Sequence, residues 1–163
     1  MANRPEFLST YNHLRQVDEL NWRYISPALL AQCNRFVVSP VKVLFTEFEG
    51  KPLTADQRQH TADFVRQAVV KALSDRYPIV TEGGADVAEI RIAVTDAYRT
   101  GGKLGLCVQG EILDNSNTQV MAVTRTEVSE LYVANWENKA TAQQIVGAWA
   151  ERLRKAIDEA HAK

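Results

Sequence analysis

At 163 residues, with 45% apolar residues, 24% charged residues and a formal net charge of −1, the chain has the size and composition of one globular domain. The near-neutral charge offers no electrostatic footprint for nucleic acid, and no run of about 20 apolar residues could form a membrane-spanning helix. Cys33 and Cys107 lie far apart, with neither metal-ligand nor Cys-x-x-Cys spacing. Two separate buried thiols are the favoured reading; a single disulfide is the other.

In chain order, residues 1–6 hold no apolar core of a signal peptide, which taken alone points to the cytoplasm. Residues 1–34 read as an irregular arm. It is too apolar to be a floppy tail, because Phe7, Leu8, Tyr11, Leu14, Leu20, Trp22, Tyr24 and Ile25 need cover from water. It is therefore expected to pack on the sheet or its edge. Pro27 at a first helical position, behind Ser26 as a cap, suggests a short helical turn.

Residues 35–45, RFVVSPVKVLF, are β-branched and apolar on both faces, so they predict an interior strand, with Pro40 marking a bulge or an unpaired side. Residues 54–76 predict an amphipathic helix. Thr54 and Gln57 make a Thr-x-x-Gln capping box, and Thr61, Phe64, Val65, Ala68, Val69, Ala72 and Leu73 form the apolar stripe. Pro78 ends the helix near Arg76, and a short strand follows at 79–81.

Three alternating strands come next, at 87–97, 104–113 and 119–128, joined by a Gly101-Gly102 turn and a DNSNT turn. In the third, either Val120/Ala122 or Met121/Val123 could face inward. Residues 130–139 read as a loop. A second Thr-x-x-Gln box, Thr141 and Gln144, opens a terminal helix with Ile145, Ala148, Trp149, Leu153, Ala156 and Ile157 on its stripe.

These elements predict an α+β, two-layer sandwich: a five-stranded mixed sheet of order 2-1-3-4-5, two helices on one face, and the arm of residues 1–34 packed on a domain of residues 35–163.

Alternation assigns Glu89, Arg91 and Thr95, then Cys107, Gln109 and Glu111, with Arg125, to the face away from the helices. This is the candidate binding surface for a peptide, glycan or protein partner. The plain alternative is a solvated face with cross-strand ion pairs, in part covered by the arm. His13, His60 and His161 do not cluster, and no nucleophile elbow or phosphate loop occurs. No catalytic residue, metal site or cofactor is assigned.

The segments FLSTYNHL and RYISP, FVVSPVKV, ADFVRQAVVKALSDRYPIV, AEIRIAVTDA, GEILDNSNTQVMA and AWAERLRKAID occur in that order. Together they resemble the bacterial lipoprotein family known as domain of unknown function 3313; the helix ending in DRYPIV and the FLSTY arm are the most specific parts. The resemblance implies a secreted lipoprotein of Gram-negative bacteria, anchored to the outer membrane through a cysteine that precedes the domain. Cys33 lies too deep in the arm for that role, so the expectation is that a lipidated leader has been removed. The family implies no catalytic residues, cofactor or ligand. The expected function is a non-enzymatic periplasmic binding or envelope-assembly module with an unidentified envelope protein, peptide or glycan as partner. The alternatives are a small periplasmic hydrolase-type enzyme, or a cytosolic interaction domain if no leader exists.

Overall fold

The longest apolar alternations build the centre of the molecule. In the computed structural model, which describes residues 6–132 and 139–162, β7 (Val87–Thr100), β8 (Lys103–Leu113) and β9 (Gln119–Tyr132) form an antiparallel meander. The β7–β8 turn uses Gly101 and Gly102 at φ 56° and 83°. That left-handed pair is the turn whose twist matches a hairpin, and glycine enters it without a Cβ penalty. Gly105 has a different reason. A Cβ there would stand 2.5 Å from the ring of Tyr98, its cross-strand partner.

The sheet has seven strands, not the expected five. One difference is the predicted strand at 35–45, which divides into β3 (Arg35–Val38) and β4 (Lys42–Val43), both parallel to β7. The break falls at Ser39-Pro40, where proline supplies no N–H donor. Arg66 Nε donates to the Val38 carbonyl at 2.9 Å beside the break. The segment predicted at 79–81 makes only a parallel bridge, Phe36 to Ile79.

The other difference lies in the arm. It is not irregular throughout: β1 (Arg15–Asp18) and β2 (Asn21–Ile25) form a hairpin, and β2 pairs antiparallel with β9. The sheet order is β1-β2-β9-β8-β7-β3. Asp18 Oδ1 accepts the Leu20 N–H at 3.0 Å and the Asn21 amide at 2.8 Å, closing the hairpin turn. Asn21 Oδ1 in turn accepts the Thr126 N–H at 2.9 Å, fastening the hairpin to β9. A separate hairpin, β5 (Glu47–Phe48) and β6 (Lys51–Pro52), turns through Glu49 and Gly50, both at positive φ.

The first helix is α1 (Pro27–Leu30). Ser26 holds its N-cap position but makes no side-chain capping bond. Helix α2 (Ala55–Leu73) carries the predicted capping box in full: Thr54 Oγ1 accepts Gln57 N–H at 3.0 Å, and Gln57 Oε1 accepts Thr54 N–H at 2.9 Å. It ends at Leu73, before the expected Arg76. Its deepest residues are Ala62, Val65, Val69 and Leu73, which leaves Phe64 half-buried on the flank. Helix α3 (Lys139–His161) begins before Thr141, so Thr141 is inside the helix and not at its cap. The loop expected at 130–139 is partly strand, since β9 runs to Tyr132; residues 133–138 lie outside those described.

Val65 and Val69 of α2 and Trp149 and Leu153 of α3 line a common space with Ile92 and Val108, which puts both helices on one sheet face. Beneath them Phe36, Leu73, Ile90, Ile112 and Ile157 are almost wholly buried. Cys33 and Cys107 are free thiols. Burial is the main cause that pushes Cys33 up to about 11, so it stays protonated near neutrality.

The helix ends are joined by Asp158. It accepts Tyr77 Oη–H at 2.6 Å, Arg76 at 2.9 Å and Arg154 Nε at 2.9 Å. The tyrosine hydrogen bond, then Arg154 and Arg76, hold its carboxyl below the usual range against the opposing effect of burial. Burial, with this same bond, pushes the Tyr77 hydroxyl up to about 12. A lowered carboxyl contributes stability above its unfolded value of about 3.9 and loses it as pH falls through the folded value. In urea melts, the stability gap between the native chain and Asp158→Asn is expected to be full at neutral pH and to shrink below about pH 4. A gap that does not change with pH would show that the charge on Asp158 has no stabilising role.

Candidate functional site

The sheet face opposite α2 and α3 carries the polar residues singled out by alternation. Arg91 on β7 pairs across the ladder with Glu111 on β8, and Gln109 on β8 pairs with Thr124 on β9. This face is not open to water at its centre. Residues 7–13 of the arm lie over it, and the Glu111 side chain is 0% exposed.

A bare buried carboxylate is costly, so it needs donors on both oxygens. Ser9 supplies its backbone N–H, shared between Oε1 at 3.0 Å and Oε2 at 3.1 Å, and its hydroxyl at 2.8 Å. Gln119 Nε2 donates to Oε1 at 2.9 Å and to the Thr10 carbonyl at 3.0 Å. Arg91 Nη1 donates to Oε2, completing an ion pair whose guanidinium is 28% exposed.

A second layer holds the arm in register. Tyr11 Oη donates to Gln109 Oε1 at 2.6 Å and accepts the Phe7 and Leu8 N–H groups at 2.8 and 3.2 Å. The Arg91 guanidinium stacks over the Phe7 ring at 4.6 Å. His13 lies 3.2 Å from Gln119 Oε1 through Nδ1, and its ring lies 4.6 Å from that of Tyr24.

The structure thus brings Arg91, Gln109 and Glu111 together. Glu89 sits toward the sheet edge, where it accepts the Ser39 hydroxyl at 2.6 Å. A β-bulge between Val94 and Asp96 makes Asp96 the partner of Cys107, so Thr95 has no cross-strand partner of its own. Thr95 is buried there, its hydroxyl 3.4 Å from the Cys107 carbonyl. Arg125 points to the helix side: it lines the space between sheet and helices and pairs with Glu127 at 2.8 Å.

Sequence reasoning missed Ser9, Tyr11 and Gln119. The segment that carries Ser9, Tyr11 and His13 is a run of bends and a turn, so no helix or strand period marks those residues in the sequence.

Chemically, the cluster is closed. Ser9 donates straight to the carboxylate with no imidazole between them, and His13 is directed to Gln119, so a serine–histidine–acid relay is not assembled. Among the described residues, no group of three or more His, Cys, Asp or Glu side chains could hold a metal ion.

The arm, the mixed sheet and the two packed helices define an α+β envelope for which the comparisons supply a family. Residues 4–106 match the family described as protein of unknown function (DUF3313), and the chain belongs to that family. Its fold is similar to that of PelC from Paraburkholderia phytofirmans, solved as a dodecamer, with 16% identity, a TM-score of 0.53, and coverage of 84% of this chain and 95% of that one. It is also similar to the hypothetical protein CT253 from Chlamydia trachomatis, with 9% identity, a TM-score of 0.52, and coverage of 77% and 99%. At these identities the likeness is one of fold alone. No curated protein matches the chain.

Removing the central carboxylate leaves Arg91, Gln119 and the Ser9 N–H without their acceptor. Glu111→Ala is expected to cost about 3 kcal/mol in chemical denaturation, the lower range for breaking a buried pair because Arg91 is partly solvated. Ser9→Ala, which removes one hydroxyl bond, is expected to cost about 1 kcal/mol. Hydrogen exchange of the Ser9–Tyr11 amides should accelerate in Glu111→Ala; unchanged exchange would mean that the arm is held by other contacts.

Proposed function

We propose that this chain is a non-enzymatic assembly module of the bacterial cell envelope, periplasmic and lipid-anchored in its native form, that works by associating with further copies or with envelope partners. The observation that carries the reading is the free edge of the sheet. Strand β1 ends the sheet, and all four of its residues are exposed. Two large apolar side chains stand out there, Val17 at 58% exposure and Leu20 at 51%. Edge strands with exposed apolar residues pair readily with other chains, and monomeric proteins usually blunt them.

Two further observations support the reading. The polar cluster on the arm face is saturated by the arm itself, so its groups act structurally. The fold is shared with a protein solved as a dodecamer, so multi-copy assembly is within the capacity of this architecture.

Light scattering coupled to size exclusion is expected to show several copies per particle for the full chain. Val17→Lys combined with Leu20→Lys, which places charge along the edge, should shift the particle to monomer with an unchanged circular dichroism spectrum. A chain that stays monomeric at every concentration tested and captures no envelope protein would refute the assembly reading. For the anchor, the gene product with its own upstream sequence should incorporate labelled fatty acid and fractionate with membranes.

A further inference from the structure

A cavity of about 110 Å³ lies between the sheet and the helices. Its walls are apolar: Val65 and Val69 from α2, Ile92 and Val108 from the sheet, Leu153 from α3. None of these residues takes part in the arm cluster, which is on the opposite face. By volume the cavity takes about four or five carbons, since an apolar cavity of about 150 Å³ holds a six-carbon ring.

Of the charged residues that line it, all but Glu111 are arginines, and the Glu111 carboxylate is held by Ser9 of the arm. Arg23, Arg125 and Arg152 are all lining residues. Glu127 accepts from both Arg125, at 2.8 Å, and Arg152. The charge on Asp18, held chiefly by the Asn21 amide and the Leu20 N–H, is also favoured by Arg125. Arg23 is exposed and has no ion-pair partner among the described residues, so the rim keeps a surplus guanidinium. Trp149 also lines the cavity, and its indole N–H is buried with no acceptor among the described residues. A buried donor without a partner carries a desolvation cost that an incoming acceptor would remove.

An apolar slot for a few carbons, a cationic rim and an orphan N–H together describe one ligand chemistry. We infer that this cavity binds a monoanionic amphiphile: the end of an acyl chain enters between Ile92, Val108 and Leu153, and a carboxylate head lies at Arg23 near Trp149. No residue of the assembly edge at β1 lines the site, and Glu111 is the one member of the arm cluster that does. The site gives the module a small-molecule ligand that the assembly reading does not require. Surplus positive charge selects the head, and the apolar walls select the tail.

The test uses the full chain and octanoate, with octanol, octyltrimethylammonium and acetate as comparison probes, all below micelle-forming concentrations. Calorimetric titration is expected to show saturable binding of one octanoate per chain. The indole N–H resonance of Trp149, assigned by its loss in Trp149→Phe, should shift during the titration. Arg23→Glu is expected to weaken octanoate by about tenfold or more and octanol much less. Val108→Phe, which fills the slot, should abolish binding of both; if that variant does not fold, the Arg23→Glu comparison decides. Absence of saturable octanoate binding, equal binding of octanoate and octyltrimethylammonium, or equal loss of octanoate and octanol in Arg23→Glu would each overturn the inference.

Discussion

The carboxylate of Glu111 is the constraint to which the rest of the arm face is fitted. It lies at the centre of a sheet, on a strand paired on both sides, with its side chain wholly removed from water. An ion in that place is tolerated only with hydrogen-bond donors around it. Arg91 supplies charge from the neighbouring strand, and its Nη1 bonds to Oε2. The remaining donors come from Gln119 and from Ser9 of the arm. The position of the arm thus follows from the needs of one oxygen pair, and the β1–β2 hairpin continues from the arm onto β9.

The two faces of the sheet divide the chemistry between them. On the arm face, polar side chains are numerous and bond to one another, as in the Tyr11–Gln109 and Gln119–Glu111 bonds, while the Thr124 hydroxyl is buried with no partner among the described residues. On the helix face, the side chains are apolar and the charged groups collect at the rim, where Arg125, Arg152 and Glu127 meet. A hydrogen-bonded network of this kind fixes geometry. An apolar slot with incompletely paired groups at its mouth is the arrangement that leaves binding energy available.

Much of the fold was legible where local rules act alone. The Thr54–Gln57 box, the Gly101-Gly102 turn and the alternation of β7 and β8 are set by neighbours in sequence, and each stands as read. Residues fixed by distant partners were not legible. The bulge that leaves Thr95 without a cross-strand partner appears only in the pairing of β7 with β8. Arg125 was placed on the arm face although the register of β9 was open between Val120/Ala122 and Met121/Val123, and the structure puts it on the helix side. The register shows that Met121 and Val123 lie opposite Ile112 and Gly110, on the helix side, and Arg125 follows by the same period. The hairpin in the arm was hidden for a related reason: Arg15–Asp18 is exposed throughout and holds a single apolar residue, Val17, so it has no apolar alternation to reveal it. Of the candidate surface, Arg91, Gln109 and Glu111 were readable as neighbours, whereas the residues that cover them come from a segment about a hundred positions away.

That separation has a consequence for the order of events during synthesis. Ser9 and Glu111 are 102 positions apart, and β2 pairs with Ala122 and Val123 of β9. The arm therefore has no place to dock until the last strand has been made. Contacts that close such long loops form late, because their entropy cost precedes any reward. Until then Phe7, Tyr11, Trp22 and Tyr24 travel uncovered, the kind of exposure that chaperones recognise. The nascent arm is a part of this chain that an escort would cover, and the pairing of β2 with β9 joins it to the sheet.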